Sequence, residues 1–116
     1  MSTLLNFSRD VQGYNAYAPQ FPTDIFTATL ADGTAESVTV PSNFPVWIMT
    51  ISITPGSEVW VSRTTTAAIP AGGSFAAAKS ELNPGPRTVF AGDVISLITP
   101  NTTTDVEVAF YAVSYQ

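Results

Sequence analysis

Residues 46–54 (VWIMTISIT) constrain the fold of this chain more than any other segment. Every second residue from Trp47 to Ile53 is apolar, and threonine or serine takes the alternate positions from residue 50 onward. This period of two is typical of a β-strand with one buried and one exposed face. Pro55-Gly56 follows, in the order that suits a type II turn, and 58–63 is a second strand-like segment. The sequence therefore predicts a hairpin over 46–63, with Trp47 in the core.

Similar short segments recur along most of the chain and are separated by glycine, proline and aspartate. They lie at 24–31, 35–40, 87–90, 94–99 and 104–115. Asp32-Gly33 stands between the first two, and this dipeptide favours a type I′ hairpin. Seven or eight short strands predict an all-β fold, an antiparallel and jelly-roll-like β-sandwich over residues 23–116.

Two segments depart from this pattern. Residues 74–82 could form one or two helical turns, because three alanines favour a helix and Ser74 could cap it. An isolated helix this short is only marginally stable, so extended structure is preferred. The apolar side chains of residues 1–22 follow neither the period of a strand nor that of a helix, and the segment ends with Pro19 and Pro22. Prolines favour extended backbone, which predicts an extended N-terminal arm. The arm could pack along its own domain or dock on a neighbouring subunit.

The residues that usually perform catalysis are scarce. The chain has no histidine and no cysteine, which excludes thiolate nucleophiles, histidine bases and metal sites built on either residue. Asp105 and Glu107 share one face of the last predicted strand, as the two carboxylates of a glycosidase do, but the alternation favours a solvated outer face. We therefore expect no catalytic residue, no cofactor, no metal ion and no enzymatic activity.

The charge of the chain bears on its partners. Its net charge is −5 with only four basic residues, so we expect neither nucleic acid nor an anionic membrane to bind. Charged residues make up 11%, against about a quarter in an ordinary domain. Either hydroxyl side chains replace charges on an ordinary surface, or other protein chains cover part of it. The N-terminus has no signal-peptide pattern, which predicts synthesis in a cytoplasm.

Trp60 is the second tryptophan, and it lies on the opposite face of its strand from Val59 and Val61. Its ring therefore either covers a second apolar layer or is exposed. An exposed tryptophan on a β-domain is a contact residue, for a protein partner or for a sugar.

Several segments together resemble a group of small tailed-bacteriophage virion proteins. They are Asn6-Phe7-Ser8-Arg9-Asp10, Asn15-Ala16-Tyr17-Ala18-Pro19, Leu30-Ala31-Asp32-Gly33-Thr34, Pro41-Ser42-Asn43, Ser80-Glu81-Leu82-Asn83-Pro84, Arg87, Ala91-Gly92-Asp93 and Val108-Ala109-Phe110-Tyr111. The resemblance implies a capsid decoration (cement) protein, a β-sandwich that reinforces the assembled shell as a symmetric oligomer and has no active site.

Composition and resemblance lead to one expected function. The chain is expected to be a virion structural protein that decorates and stabilises a bacteriophage capsid by non-covalent contacts between shell subunits. The expected partners are the major capsid protein and copies of the chain itself, as a homodimer or homotrimer, on the capsid surface. The alternative is a carbohydrate- or receptor-binding module of a phage fibre or tail. The predicted contact residues are Leu4, Leu5, Phe7, Tyr14, Tyr17 and Trp60.

Overall fold

A computed structural model of the chain describes residues 7–9, 15–19, 21–71, 75 and 77–113. These residues form ten β-strands and no helix: β1 (Phe7–Arg9), β2 (Asn15–Pro19), β3 (Asp24–Ala31), β4 (Glu36–Thr39), β5 (Val46–Ile53), β6 (Trp60–Arg63), β7 (Glu81–Leu82), β8 (Arg87–Phe90), β9 (Val94–Ile98) and β10 (Thr103–Ala112). The prediction of an all-β fold is confirmed. None of the described segments forms a helix that could cross a membrane.

Strands β3 to β10 build two antiparallel four-stranded sheets. The first sheet has the order β3-β10-β5-β8 and the second has the order β4-β9-β6-β7. Each strand of the first half pairs with its counterpart in the second half: β3 with β10, β4 with β9, β5 with β8 and β6 with β7. A long hairpin rolled up in this way has the connectivity of a jelly roll. The predicted jelly-roll-like sandwich is therefore present.

The hairpin predicted over 46–63 is wrong. Its turn forms, since Gly56 has a φ of +83° and the N–H of Ser57 donates to the carbonyl of Thr54 at 3.2 Å. The turn nevertheless carries the chain from β5 in the first sheet to β6 in the second. Alternation specifies which face of a strand is buried but not which strand is its neighbour, and two strands facing each other across a core satisfy it equally well.

The hairpin predicted at Asp32-Gly33 is wrong for a related reason. A type I′ turn needs positive φ at both central residues. Here Gly33 has a φ of +70°, and Asp32 is not among the residues with positive φ. The N–H of Thr34 donates to the carbonyl of Ala31 at 3.2 Å, and the turn then leads into β4 of the second sheet.

The core lies between the two sheets and is centred on aromatic side chains. Trp47 and Phe110 are completely buried, and their rings meet edge to face with centroids 6.3 Å apart. The indole N–H of Trp47 donates to the carbonyl of Phe44 at 2.9 Å, so its one polar atom is satisfied. The prediction that Trp47 belongs to the core is confirmed.

The connection between β6 and β7 covers part of the second sheet. Ser62 and Ser96 point away from the core but are buried, and the N–H of Ala67 donates to the hydroxyl of Ser96 at 2.9 Å. The described residues from 75 to 80 are not helical, and Glu81–Leu82 forms β7. Within the described part of 74–82, the predicted extended structure is therefore confirmed as a strand only at Glu81–Leu82.

At the N-terminus, β1 and β2 pair antiparallel with each other, with Phe7 opposite Pro19 and Arg9 opposite Asn15. They belong to neither sheet of the sandwich. The division into an arm at 1–22 and a sandwich domain at 23–116 stays a prediction.

Candidate functional site

The predicted contact residues of the arm fall into two groups. Phe7 lies in β1 and Tyr17 lies in β2, so the structure places both in the small N-terminal ladder. Leu4, Leu5 and Tyr14 lie outside the described residues. The role of all five in partner contact stays a prediction.

Trp60 lies on the outward face of the second sheet, between two apolar neighbours. In register it is opposite Leu82 of β7 and Ile98 of β9. Ile98 is buried, Leu82 is 44% exposed, and Trp60 itself is half-buried. The indole nitrogen of Trp60 is buried and has no hydrogen-bond partner in the described structure. Such an unpaired donor costs about 1–3 kcal/mol, so Trp60 contributes apolar area here rather than a polar contact.

Sequence reasoning missed most of the exposed apolar surface. The exposed large apolar side chains of the described residues are Phe21, Ile25, Phe26, Ile69, Phe75, Leu82, Phe90 and Val94. Phe21 and Phe75 are almost fully exposed, and their positions beside proline and in a glycine-rich connection were a usable signal. The exposure of Ile25 and Phe26 had no such signal, because it depends on which strand ends the sheet.

An apolar groove opens on one side of the sandwich, between the edge strands β3 and β4. Its volume is about 180 Å³. It is lined by Phe26, Thr27, Ala28, Leu30, Glu36, Ser37, Val38, Leu97, Val106 and Val108. The inward-facing side chains of both sheets are therefore reachable from this side.

The opposite side of the sandwich, between β7 and β8, has a pocket of about 150 Å³ that is bridged by an ion pair. Arg87 donates to both carboxylate oxygens of Glu81, with a distance of 3.2 Å from Nε to Oε1. The hydrogen bond to Glu81 and the negative charge of its carboxylate raise the pKa of Arg87. Both sides of the sandwich therefore have a pocket, and within the described residues an ion pair bridges the one between β7 and β8 but not the one between β3 and β4.

A second ion pair lies at one end of the sandwich. Oδ2 of Asp93 accepts from Nε of Arg63 at 2.8 Å and from the N–H of Phe90 at 3.0 Å. Partial burial of Asp93 works to raise its pKa, but these two hydrogen bonds and the charge of Arg63 outweigh it and hold the pKa below its usual range. The guanidinium carbon of Arg63 also lies 5.4 Å from the centre of the Phe90 ring.

The two carboxylates of β10 lie on the outer face of the first sheet, as predicted. Asp105 and Glu107 are exposed in a shallow depression of about 640 Å³, which threonine and serine side chains also line. The hydroxyl of Thr29 donates to Oδ1 of Asp105 at 2.8 Å. Across the described part of the chain, no three His, Cys, Asp or Glu side chains group closely enough to hold a metal ion.

No family model, no curated protein and no solved structure matches this chain. Jelly-roll sandwiches occur in viral capsid domains, in lectin domains and in cupins, so the fold serves several unrelated functions. The functional assignment therefore depends on the surfaces described above.

Proposed function

We propose that the protein is a virion structural protein that decorates and stabilises a bacteriophage capsid through non-covalent contacts between shell subunits. One observation carries the proposal: a sandwich with few charges exposes large apolar side chains, among them Phe21 and Phe75, which are almost fully exposed. Large apolar side chains that are left exposed are available for burial against protein partners.

The expected mechanism is binding alone. Each copy buries apolar side chains across a junction between major capsid proteins, with roughly 800 Å² per partner as in ordinary stable interfaces. A homodimer or homotrimer holds several junctions at once, so that contacts which are individually weak give a large combined resistance to separation. The protein then resides on the capsid surface of the virion.

Two of the segments that carry the resemblance to virion proteins meet at one end of the sandwich. Pro41-Ser42-Asn43 follows Val40, and Ala91-Gly92-Asp93 follows β8. The two turns are neighbours: the N–H of Val40 donates to the carbonyl of Asp93 at 2.8 Å, and the N–H of Gly92 donates to the carbonyl of Val40 at 3.1 Å. These segments therefore hold one end of the sandwich together, and the shell contacts are expected elsewhere.

The proposal is tested with particles of the phage that encodes the chain, prepared without this protein. Purified protein is added at increasing concentration, and bound copies per particle are counted after sedimentation. We expect saturable binding at a number that fits the symmetry of the shell, together with a higher temperature of genome release. The absence of saturable binding, or binding with no gain in particle stability, contradicts the proposal.

The alternative, a carbohydrate- or receptor-binding module, depends on an accessible Trp60. The half-buried ring and its buried indole nitrogen favour contact through apolar area over stacking on a sugar. A glycan array that shows specific binding by the wild-type protein and none by Trp60→Ala would favour this alternative over decoration.

A further inference from the structure

The free edge of β3 is suited to receive another strand. β3 spans eight residues at the end of the first sheet, and β10 is its only strand neighbour within the described residues. Residues 25–29 are all exposed. The strand contains no proline and no lysine or arginine, the residues that commonly protect an edge from pairing. Its backbone is therefore open to the addition of an extended segment.

The apolar groove runs beside this edge. Phe26 and Ala28 have the inward orientation in β3, because they alternate with Thr27 and Thr29, yet both are exposed. The ring of Phe26 packs edge to face on the buried Phe110, with centroids 5.7 Å apart. Inward positions that remain exposed show that the sandwich is not filled at this side.

The charges around the groove are all acidic. Glu36 lines it, Asp24 begins β3 and Asp32 follows its last residue, and none of the basic side chains that the structure describes lines it. Within the described structure Glu36 forms no ion pair, whereas Arg87 and Glu81 form one beside the pocket on the opposite side of the sandwich. A basic side chain brought by the occupant would give this side the ion pair that the other side already has.

We infer that the β3 edge and the groove bind an extended segment of another polypeptide, apolar where it faces the groove and basic where it passes Glu36. A second copy paired through its own β3 fits less well, because it would bring Asp24 and Asp32 of both copies together. If the protein decorates a shell, the segment belongs to the shell protein, and that identity rests on the proposed function. The inference that this site binds a basic strand is independent of the proposed function.

The test uses synthetic peptides in place of the unidentified partner. The probe is a fluorescein-labelled decapeptide in which valine alternates with threonine and one central valine is replaced by lysine. The control peptide carries glutamate at that position. We expect saturable binding of the lysine peptide by fluorescence anisotropy and binding of the glutamate peptide at least about tenfold weaker, since one close charge pair is worth about that factor.

Protein variants locate the site. Ala28→Lys places a charged chain in the groove and should weaken binding of the lysine peptide by at least about tenfold. Thr39→Lys adds the same charge on the exposed outward face of β4 and should leave the affinity within about twofold. Glu36→Gln should remove most of the difference between the lysine and glutamate peptides.

Hydrogen exchange on the wild-type protein gives a readout that needs no variant. The lysine peptide should slow exchange of amides in β3 and leave β8, the other edge of the same sheet, unchanged. No saturable binding up to about 1 mM, equal binding of both peptides, or full binding by a folded Ala28→Lys protein would overturn the inference. If the protein binds the lysine peptide but not the phage particles, the decoration function is rejected and the peptide site in the groove is retained. If it binds the particles but not the peptide, only the groove site is rejected.

Discussion

Nε of Arg63 lies 2.8 Å from Oδ2 of Asp93, and this contact joins β6 to the turn that connects β8 with β9. The same carboxylate oxygen accepts from the N–H of Phe90, the last residue of β8. Because β6 and β8 belong to different sheets, Asp93 holds one end of the sandwich together across the two layers. The Asp93 side chain is 14% exposed but that of Arg63 is 53% exposed, so solvent screens this pair substantially and its contribution to stability is modest.

Asp93→Asn should lower stability at neutral pH and change how stability depends on pH. Since the folded-state pKa of Asp93 is lowered, its contribution is present above the unfolded pKa of about 3.9 and is lost as the pH falls through the folded value. We expect the free energy of unfolding of the variant to be about 1 kcal/mol lower than that of the wild type at pH 7. As the pH falls from about 4 to about 2, the stability of the variant should decrease less than that of the wild type. Urea unfolding at each pH measures both differences.

The Arg63→Gln background is the control for this prediction. Without the guanidinium, Asp93→Asn should cost less than it does in the wild-type protein, because the ion pair is already absent. Equal costs in the two backgrounds would show that Arg63 and Asp93 do not act as a pair.

The two tryptophans should respond differently to the same substitution. Trp47→Phe removes a satisfied N–H donor and leaves a cavity at a fully buried site, so we expect a loss of about 2–4 kcal/mol in the free energy of unfolding. Trp60→Phe removes a buried donor that has no partner but also loses apolar ring area, and because these two effects oppose each other we expect a change below about 1 kcal/mol. Chemical unfolding of both variants measures the difference, and equal losses would contradict it.

Some features of the fold could be predicted from the sequence and others could not. The burial of Trp47 follows from strand alternation, and so do the all-β fold and the outward face of Asp105 and Glu107. The pairing of strands does not, because consecutive segments such as β5 and β6 can satisfy the same pattern by facing each other across the core. Both predicted hairpins were wrong for this reason, whereas the turn at Pro55-Gly56 was predicted correctly.

The candidate surfaces were harder to predict than the fold. The exposure of Phe26 depends on β3 ending its sheet, a consequence of long-range pairing with β10 that no local pattern carries. Asn83 is another example: it has a φ of +43°, and its Oδ1 accepts from the N–H of Val59 at 2.8 Å. The proline-rich sequence around it indicated a turn but not a contact with a residue 24 positions away.

Thr99→Val should destabilise the protein although it preserves the shape of the side chain. The hydroxyl of Thr99 is completely buried, donates to the carbonyl of Glu58 at 2.7 Å and accepts from the N–H of Asn101 at 3.1 Å. Removing it leaves both backbone groups without this partner, which costs about 1–3 kcal/mol. Thr102→Val, at an exposed position of the same turn, is the matched control and should change the unfolding free energy by less than about 0.5 kcal/mol.

Deleting residues 2–18 tests the predicted role of the N-terminal arm. The core cluster of the described residues extends from Leu30 to Ala112, so we expect the truncated protein to unfold within a few degrees of the wild type. If the arm anchors one subunit to another, retention on phage particles should fall by at least about tenfold, because one point of a multivalent attachment is lost. The milder variant with serine at Leu4, Leu5, Phe7, Tyr14 and Tyr17 keeps the backbone and should show a similar fall. If both proteins occupy the phage particles as fully as the wild type does, these residues do not contact the shell. The exposed side chains of the sandwich would then make that contact.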